Sequence, residues 1–472
     1  VLMMKGKQNS QRYQSRREFL KQSLYAGLNA SLAGSLLLSS CGKRQRSATN
    51  VILISIDTLR ADHLSSYGYQ RPTSPILDKF ASQGLLFEDV STTCPWTLPA
   101  HASLLTGLYP RRNGVRTRTD RMRDDVLTLA EVLREHDFLT AGIVNSHWLS
   151  KTNGLDQGFE EFHYVKESAN RIRPTKVEDE AKNWLSKRRD KRFFLFLHYY
   201  DVHSDYHSLP HYERQFIRPY NGIADGSTDQ LIDFRYGRLP LPNQADTVHL
   251  IDLYDAGIRQ MDDGMARLFA LLEEKDLFDN TLIIVTSDHG EEFMEHGGVL
   301  HGRTYFQEVL HVPLIMRGPN LPQGKRIKDI ASLLDVMPTL LALLGISPPA
   351  GLDGIDLQPL WQKKNAGSPK RLLFGEADWN NVVDNKIVDD IKRFIRQDHY
   401  KLHVDRVTKK VELYDIVSNP DETVDVSSKH APLVKLMRSR LIDFLKIGRT
   451  GRTIKPLSPE EIELLKSLGY LQ

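Results

Sequence analysis

Cysteine is nearly absent: Cys41 and Cys94 are the only two in 472 residues. Two thiols close at most one bridge, which excludes a disulfide framework as the source of stability. No stretch beyond residue 40 is long and apolar enough to span a membrane. Internal repeats, heptad runs and low-complexity tracts are missing too. So is a strong charge of one sign. The formal net charge is +3, and residues 1–40 hold six Lys/Arg and one Glu. Setting that segment apart removes +5 and leaves about −2, so the basicity belongs to the N-terminus and no nucleic-acid partner is expected. What remains has an ordinary globular composition, 40% hydrophobic and 26% charged. The chain is long enough for more than one structural unit.

The first forty residues read as an address. Ser15-Arg16-Arg17-Glu18-Phe19-Leu20-Lys21 resembles the twin-arginine export signal, a weakly apolar stretch runs from Leu24 to Leu38, and Leu38-Ser39-Ser40-Cys41 resembles a lipobox. The resemblance implies removal of residues 1–40, a lipid anchor on Cys41 and a location at the periplasmic or other extracytoplasmic membrane face of a bacterium. Residues 41–50 are then a polar tether, and Cys94 is left without a partner.

Short apolar, β-branched runs follow: Val51 to Ile56, Thr140 to Val144, Phe193 to Leu197, Leu282 to Thr286 and Val312 to Met316. Helical patterns lie between them. Thr128 to Glu135 is one; Leu250, Tyr254, Ile258, Met261, Met265, Leu268 and Leu272 mark one face of a long amphipathic helix. This alternation predicts an α/β fold, a mixed, mostly parallel sheet flanked by helices. A main domain over 51–369 is expected, with 165–245 as an insertion or lid. Residues 370–472 are expected to form a smaller α+β subdomain, its antiparallel sheet drawn from Ile391 to Ile395, Tyr400 to Val404 and Val411 to Tyr414, followed by a helix from about Pro432.

Ligands in open α/β sheets sit beyond the carboxyl ends of the strands. Asp57 follows the first strand; Asp201 and His203 follow another; Asp288 and His289 follow a third, with His296 and His301 soon after. One such Asp is ordinarily a helix cap. Three strands ending in carboxylates and imidazoles would together suit a divalent metal, because clustered carboxylates otherwise repel. The run Thr97-Leu98-Pro99-Ala100-His101-Ala102-Ser103-Leu104-Leu105-Thr106-Gly107 places a hydroxyl at the start of a short helix, with Pro99 early and Gly107 to end it. A hydroxyl there is either a plain cap or a nucleophile beside anion-attracting N–H groups.

With these residues in view, the chain from 51 onward resembles the sulfatase branch of the alkaline phosphatase superfamily. The resemblance is carried by Val51 to Tyr69, by Tyr254 to Glu292 ending in Thr-Ser-Asp-His-Gly-Glu-Glu, and by Glu308 to Ile315. Leu334 to Leu341, and Glu412 to Asp415 with Asn419-Pro420, add to it. It implies a metal on Asp57, Asp288 and His289, Thr97 as nucleophile and metal neighbour, and His203 and His301 around the anionic and leaving groups. Asp201, His203 and His301 would hold a second cation in two-metal relatives; His101 either orients Thr97 or packs its helix. The ion is Zn, Mn, Mg or Ca, one or two in number.

Departures from the sulfatase pattern are equally specific. The family's nucleophile is a Cys or Ser oxidised to formylglycine, with Pro two residues later and Arg two beyond that. Thr97 carries a methyl on its β-carbon and His101 replaces the Arg. Cys94 is followed by Trp96 and Leu98 where Pro and Arg would be required, and Thr58 replaces the second Asp of the usual pair. Thr-x-Pro-x-His resembles nucleotide pyrophosphatase/phosphodiesterases instead. The expected function is therefore a metal-dependent hydrolase of a small anionic ester through Thr97, acting on a phosphodiester or a phosphonate or phosphate monoester. A sulfatase working without formylglycine, a phosphoryl-group transferase and a non-catalytic surface-anchored binding protein are the alternatives.

Overall fold

The computed structural model describes residues 50–166, 176–187, 191–362, 371–383, 386–406, 408–447 and 453–454. The expected export signal, Cys41 and nearly all of the tether lie outside these; Asn50 is already the first residue of a strand.

Eight strands build the main sheet: β1 (Asn50–Ile56), β2 (Leu85–Phe87), β3 (Leu139–Val144), β4 (Glu161–Tyr164), β5 (Phe193–Tyr199), β6 (Thr281–Thr286), β7 (Leu314–Arg317) and β8 (Lys325–Ile327). Their spatial order is β8-β2-β7-β6-β1-β5-β3-β4. Only β7 is reversed, pairing antiparallel with both β6 and β2. The helices used below are α1 (Pro75–Ser82), α2 (Thr97–Thr106), α3 (Leu129–Glu135), α4 (Val177–Ser186), α5 (Pro210–Phe216), α6 (Thr228–Arg235), α7 (Gln244–Glu274), α8 (Val336–Leu343) and α9 (Ala431–Lys446).

The central strands are apolar throughout because both faces are covered. Val51 and Leu53 of β1, with Phe194, Phe196, Leu282 and Ile284, pack against α2, α3 and α8. Ile52, Ile54 and Ile56, with Leu195, Leu197, Ile283 and Val285, pack against α1, α4, α6 and α7. Each of these side chains contributes about 1.5–3 kcal/mol by leaving water. Local signals set the helix ends. Thr128 and Glu131 form a capping box on α3, Asn243 and Asp246 another on α7. Gly107 ends α2 in the left-handed region at φ 64°.

The stretch 165–245 is not one insertion over the sheet. It contains β5, which lies beside β1 at the centre, in register from Val51↔Phe194 to Ile56↔Tyr199. An apolar run of seven buried residues belongs in the core and cannot serve as a lid. Among the described residues of this stretch, α4 before β5 and α5, α6 and their loops beyond it run outside the sheet.

The C-terminal unit is a four-stranded antiparallel sheet of β9 (Leu372–Val383), β10 (Lys386–Gln397), β11 (Tyr400–Asp405) and β12 (Val411–Asp415), with α9 packed on Ile395, Leu402 and Leu413. A buried ionic clip ties it to the loop that leads away from β6. Lys401 Nζ donates to Glu422 Oε2 (2.8 Å), to Tyr305 O (2.7 Å) and to Gln307 Oε1 (3.0 Å). Gln307 N donates to Glu422 Oε2 (2.7 Å), and His403 Nε2 lies 3.2 Å from Glu422 Oε1. Burial alone would raise the Glu422 carboxyl; Lys401 and His403 outweigh it and bring it from 4.5 down to about 2. A pKa depressed in the folded state contributes stability that is complete above 4.5 and is lost as the pH falls toward 2. Glu422→Gln is expected to lower the denaturant midpoint at neutral pH and to flatten its fall between pH 4.5 and 2, measured by urea unfolding across that range.

Candidate active site

The register of the sheet brings three strand ends level. Ser55 of β1 stands opposite His198 of β5 and Thr286 of β6. Asp57 leaves β1 one residue beyond its end, and Asp288 and His289 leave β6 two and three residues beyond. All three are fully buried, and each offers a ligand atom within 4.8 Å of the others'. They are the only such group of His, Cys, Asp or Glu among the described residues.

Their hydrogen bonds fix how they face. His289 Nδ1–H donates to Gly290 O (2.9 Å), which leaves Nε2 with a bare lone pair. That lone pair sits 3.2 Å from Asp288 Oδ2 and 3.7 Å from Asp57 Oδ1. Asp288 Oδ1 accepts from Thr58 N (3.2 Å) and His289 N (2.9 Å), while Oδ2 receives no well-formed hydrogen bond. Acceptors converge on acceptors here, away from water. A proton or a cation must sit among them, and oxygen–oxygen–imidazole is a donor set suited to a divalent metal. Burial opposes charge on His289, yet Asp288 holds its pKa up at about 9; the same pair, with burial working against it, keeps Asp288 well below the usual carboxylate range.

Thr97 meets this group from the first turn of α2, a helix buried at every position. Its hydroxyl lies 3.3 Å from His289 Nε2 and 3.5 Å from Asp57 Oδ2. The cap position belongs to Trp96, which makes no side-chain cap bond, so the threonine hydroxyl is left to face the carboxylates. His101 lies one turn on. Its Nδ1–H donates to Thr97 O (2.9 Å) and its Nε2 accepts from Ser55 Oγ (2.8 Å), with burial pushing its pKa down to about 4. It braces the helix start against β1 and does not touch the Thr97 hydroxyl.

His203 and His301 stand together, ring centroids 5.1 Å apart, and His301 is 4.3 Å from His289. His301 Nδ1–H donates to Glu291 Oε1 (2.9 Å); burial, with His289 and Arg235 nearby, drives its pKa well below the usual imidazole range. His203 Nδ1–H donates to Ser204 O (2.8 Å), and its Nε2 accepts from Tyr200 OH (3.2 Å). Asp201 does not join them. Its charge acts instead on Tyr199 and on Glu178 of α4, whose carboxyl is raised to about 7 by burial and then by Asp201. A second cation on Asp201, His203 and His301 therefore finds no cluster of three ligands among the described residues. His296 is held elsewhere, on Glu308 (2.6 Å) and against Phe306.

Two neighbours escaped the sequence. His198 Nε2 lies 3.3 Å from Asp57 Oδ2 while its Nδ1 bonds Asn145 (3.2 Å), and burial brings its pKa to about 4. Its position, last but one in an apolar strand, hid it; only the pairing with Ser55 places it beside Asp57. Glu291, directly after His289-Gly290, was visible in the motif, but its bond to His301 was not.

Comparison with known proteins agrees with this architecture. The sulfatase family profile covers residues 49–346, and that of the N-sulphoglucosamine sulphohydrolase C-terminal region covers 295–446. Human arylsulfatase K is 23% identical, spanning 94% of this chain and 92% of its own length. The multifunctional alkaline phosphatase superfamily protein PehA of Trinickia caryophylli is 26% identical over 86% of this chain and 96% of its own. Among solved structures, a protein in complex with its substrate D-glucosamine-2-N,6-O-disulfate superimposes with a TM-score of 0.71 at 20% identity, covering 84% of this chain and 97% of that one. The phosphonate monoester hydrolase of Agrobacterium radiobacter follows with 0.69 at 20%, covering 86% and 99%. The profile match, the sheet order and the Asp57–Asp288–His289 group lead to one conclusion: this chain belongs to the sulfatase family and is a hydrolase of sulfuric or phosphoric esters.

Proposed function

We propose that the chain hydrolyses sulfate esters of small, sugar-like alcohols through Thr97. The observation that carries this is the Thr97 hydroxyl, 3.3 Å from His289 Nε2 inside a buried group of acceptors that fits a divalent cation. Arylsulfatase K and the disulfated-glucosamine complex among its relatives point to the same ester class. Asp57, Asp288 and His289 would hold the cation, which supplies positive charge for the ester oxygens and acidifies a neighbouring hydroxyl. Thr97 Oγ attacks sulfur; the Oγ–S bond forms as the bond to the alcohol oxygen breaks. A neutral imidazole of the His203–His301 pair takes the Thr97 hydroxyl proton and passes it to the departing alcohol oxygen; it then takes a proton from the water that opens the sulfo-threonine and returns it to Thr97 Oγ. His198 and His101 keep Asp57 and the helix start in place.

Thr97 itself favours a second reading, hydrolysis of a phosphonate monoester or phosphodiester. Its β-carbon methyl rules out formylglycine, so the covalent intermediate must be opened at the central atom by water. A phosphonate monoester or phosphodiester carries one negative charge, as a sulfate monoester does, but concentrates it on two non-bridging oxygens rather than three, which a cation stabilises more strongly. Residues 1–41, on their sequence alone, would deliver the enzyme by the twin-arginine route to an extracytoplasmic membrane face, held by lipid on Cys41.

Two measurements test these readings. On a panel of aryl sulfate, aryl phosphonate and aryl phosphodiester, kcat/KM is expected to be highest for the sulfate and to fall about 10³-fold or more in Thr97→Ala; a panel led by phosphorus esters selects the second reading, and unchanged turnover removes Thr97 from the reaction. Elemental analysis of the purified chain is expected to find one divalent ion per molecule, Zn, Mn, Mg or Ca, and Asp288→Ala is expected to lose it while retaining its circular dichroism.

A further inference from the structure

We propose that Arg235 and Arg303, beside His301, form a subsite for a second anionic group carried on the alcohol part of the ester. The proposal rests on the ester-hydrolase reading and names its substrate class: an ester whose leaving group bears a carboxylate, sulfate or phosphate of its own.

Arg235 ends α6. Its Nη2 donates to Val299 O (3.1 Å) and to His301 O, so it is fastened to the loop that presents His301. Arg303 lies two residues along that loop, its guanidinium 5.0 Å over the Tyr236 ring. Its Nε is shielded from water and has no hydrogen-bond partner. Neither arginine makes an ion pair with a carboxylate among the described residues, and both are only half-buried. Each feels the other: after burial, the charge of Arg303 is the next influence pulling Arg235 down to about 10. Tyr236 also acts on a third guanidinium, that of Arg118.

Glu291 and Glu292 act on Arg235 from a distance, but neither forms an ion pair with it. Glu291 Oε1 is taken by His301 Nδ1–H. Glu292 is pushed up to about 8 by burial and by Glu308, against the pull of Arg235. Arg238, 5.5 Å from the Tyr236 ring, is paired with Asp233 at 2.8 Å and stands apart. Two like charges held together without an ion-paired carboxylate raise the energy of the empty site, and an anion with paired oxygens relieves it through charge-assisted hydrogen bonds. With the scissile group at Asp57, Thr97 and His289, the guanidinium fastened to His301 O stands one side chain further out, where a second anion on the alcohol part of the same ester would meet it. A singly charged ester reaches the first set and leaves the arginines uncompensated.

Binding of phenyl sulfate and of 3- and 4-carboxyphenyl sulfate to the full chain carrying Thr97→Ala, followed by calorimetry, tests this without turnover. A carboxylated ester is expected to bind about tenfold tighter than phenyl sulfate. Arg303→Gln is expected to bring that ratio close to one, Arg303→Lys to keep part of it, and Arg238→Gln to keep all of it. Equal affinities, no saturable binding of any ester, or a preference that survives Arg303→Gln would overturn the subsite. A chain with native Thr97 that turns over no ester, yet whose Thr97→Ala form shows the preference, would refute the reaction and leave the subsite standing.

Discussion

A lone pair aimed at two carboxylates governs the centre of this molecule. Gly290 O accepts from His289 Nδ1–H, so Nε2 faces Asp57 and Asp288 as a third acceptor until a proton or a cation fills the space between them, and Asp288 holds the imidazole's pKa up at about 9. In water such a meeting would disperse. Here all three groups are fully buried on strand ends locked in register, and they have nowhere to go. Positive charge is therefore a structural requirement of the fold as much as a catalytic one. The surrounding bonds serve the same end: Thr58 N and His289 N hold Asp288, and Ser55 with His101 holds the start of α2.

The protein keeps the sulfatase scaffold while altering the group that defines the family's chemistry. By the sequence resemblance, Thr97 would keep an oxygen where the family places its oxidised residue, and His101 would replace the Arg that accompanies it. In the structure His101 is spent on the backbone of Thr97 and on Ser55, with no nitrogen left for the hydroxyl. Thr58, in place of the second Asp, sits at φ 57°, where a β-branched residue is costly. Its N–H on Asp288 explains why the conformation is kept: the backbone turns there to supply a donor.

The sheet was legible because its strands are continuous apolar runs, and Asp57, Thr97, Asp288 and His289 were legible because each stands just past such a run or opens a helix. Side chains whose roles depend on register were not. His198 looks like a blemish in β5 until Ser55 is seen opposite it. Asp201 shares a short segment with His203, which suggests a common direction, but its charge is felt at Glu178 and Tyr199. The first strand of the C-terminal sheet, β9, went unread because its second half, Asp378 to Asn381, is polar. The bounds 165–245 for an insertion were too wide for a different reason: the polar average of the stretch was extended across Phe193 to Leu197, a run already legible as a strand, which lies at the centre of the sheet.

The bond from Thr58 N to Asp288 Oδ1 joins residues 230 positions apart. No stretch of the chain made early in synthesis contains both sides of the centre, and β6 cannot take its place until more than half of the polypeptide has left the ribosome. Assembly of such distant partners is slow relative to local structure. A centre drawn from the ends of β1 and β6 is thus completed late, and a cation held there would report that these two central strands have paired.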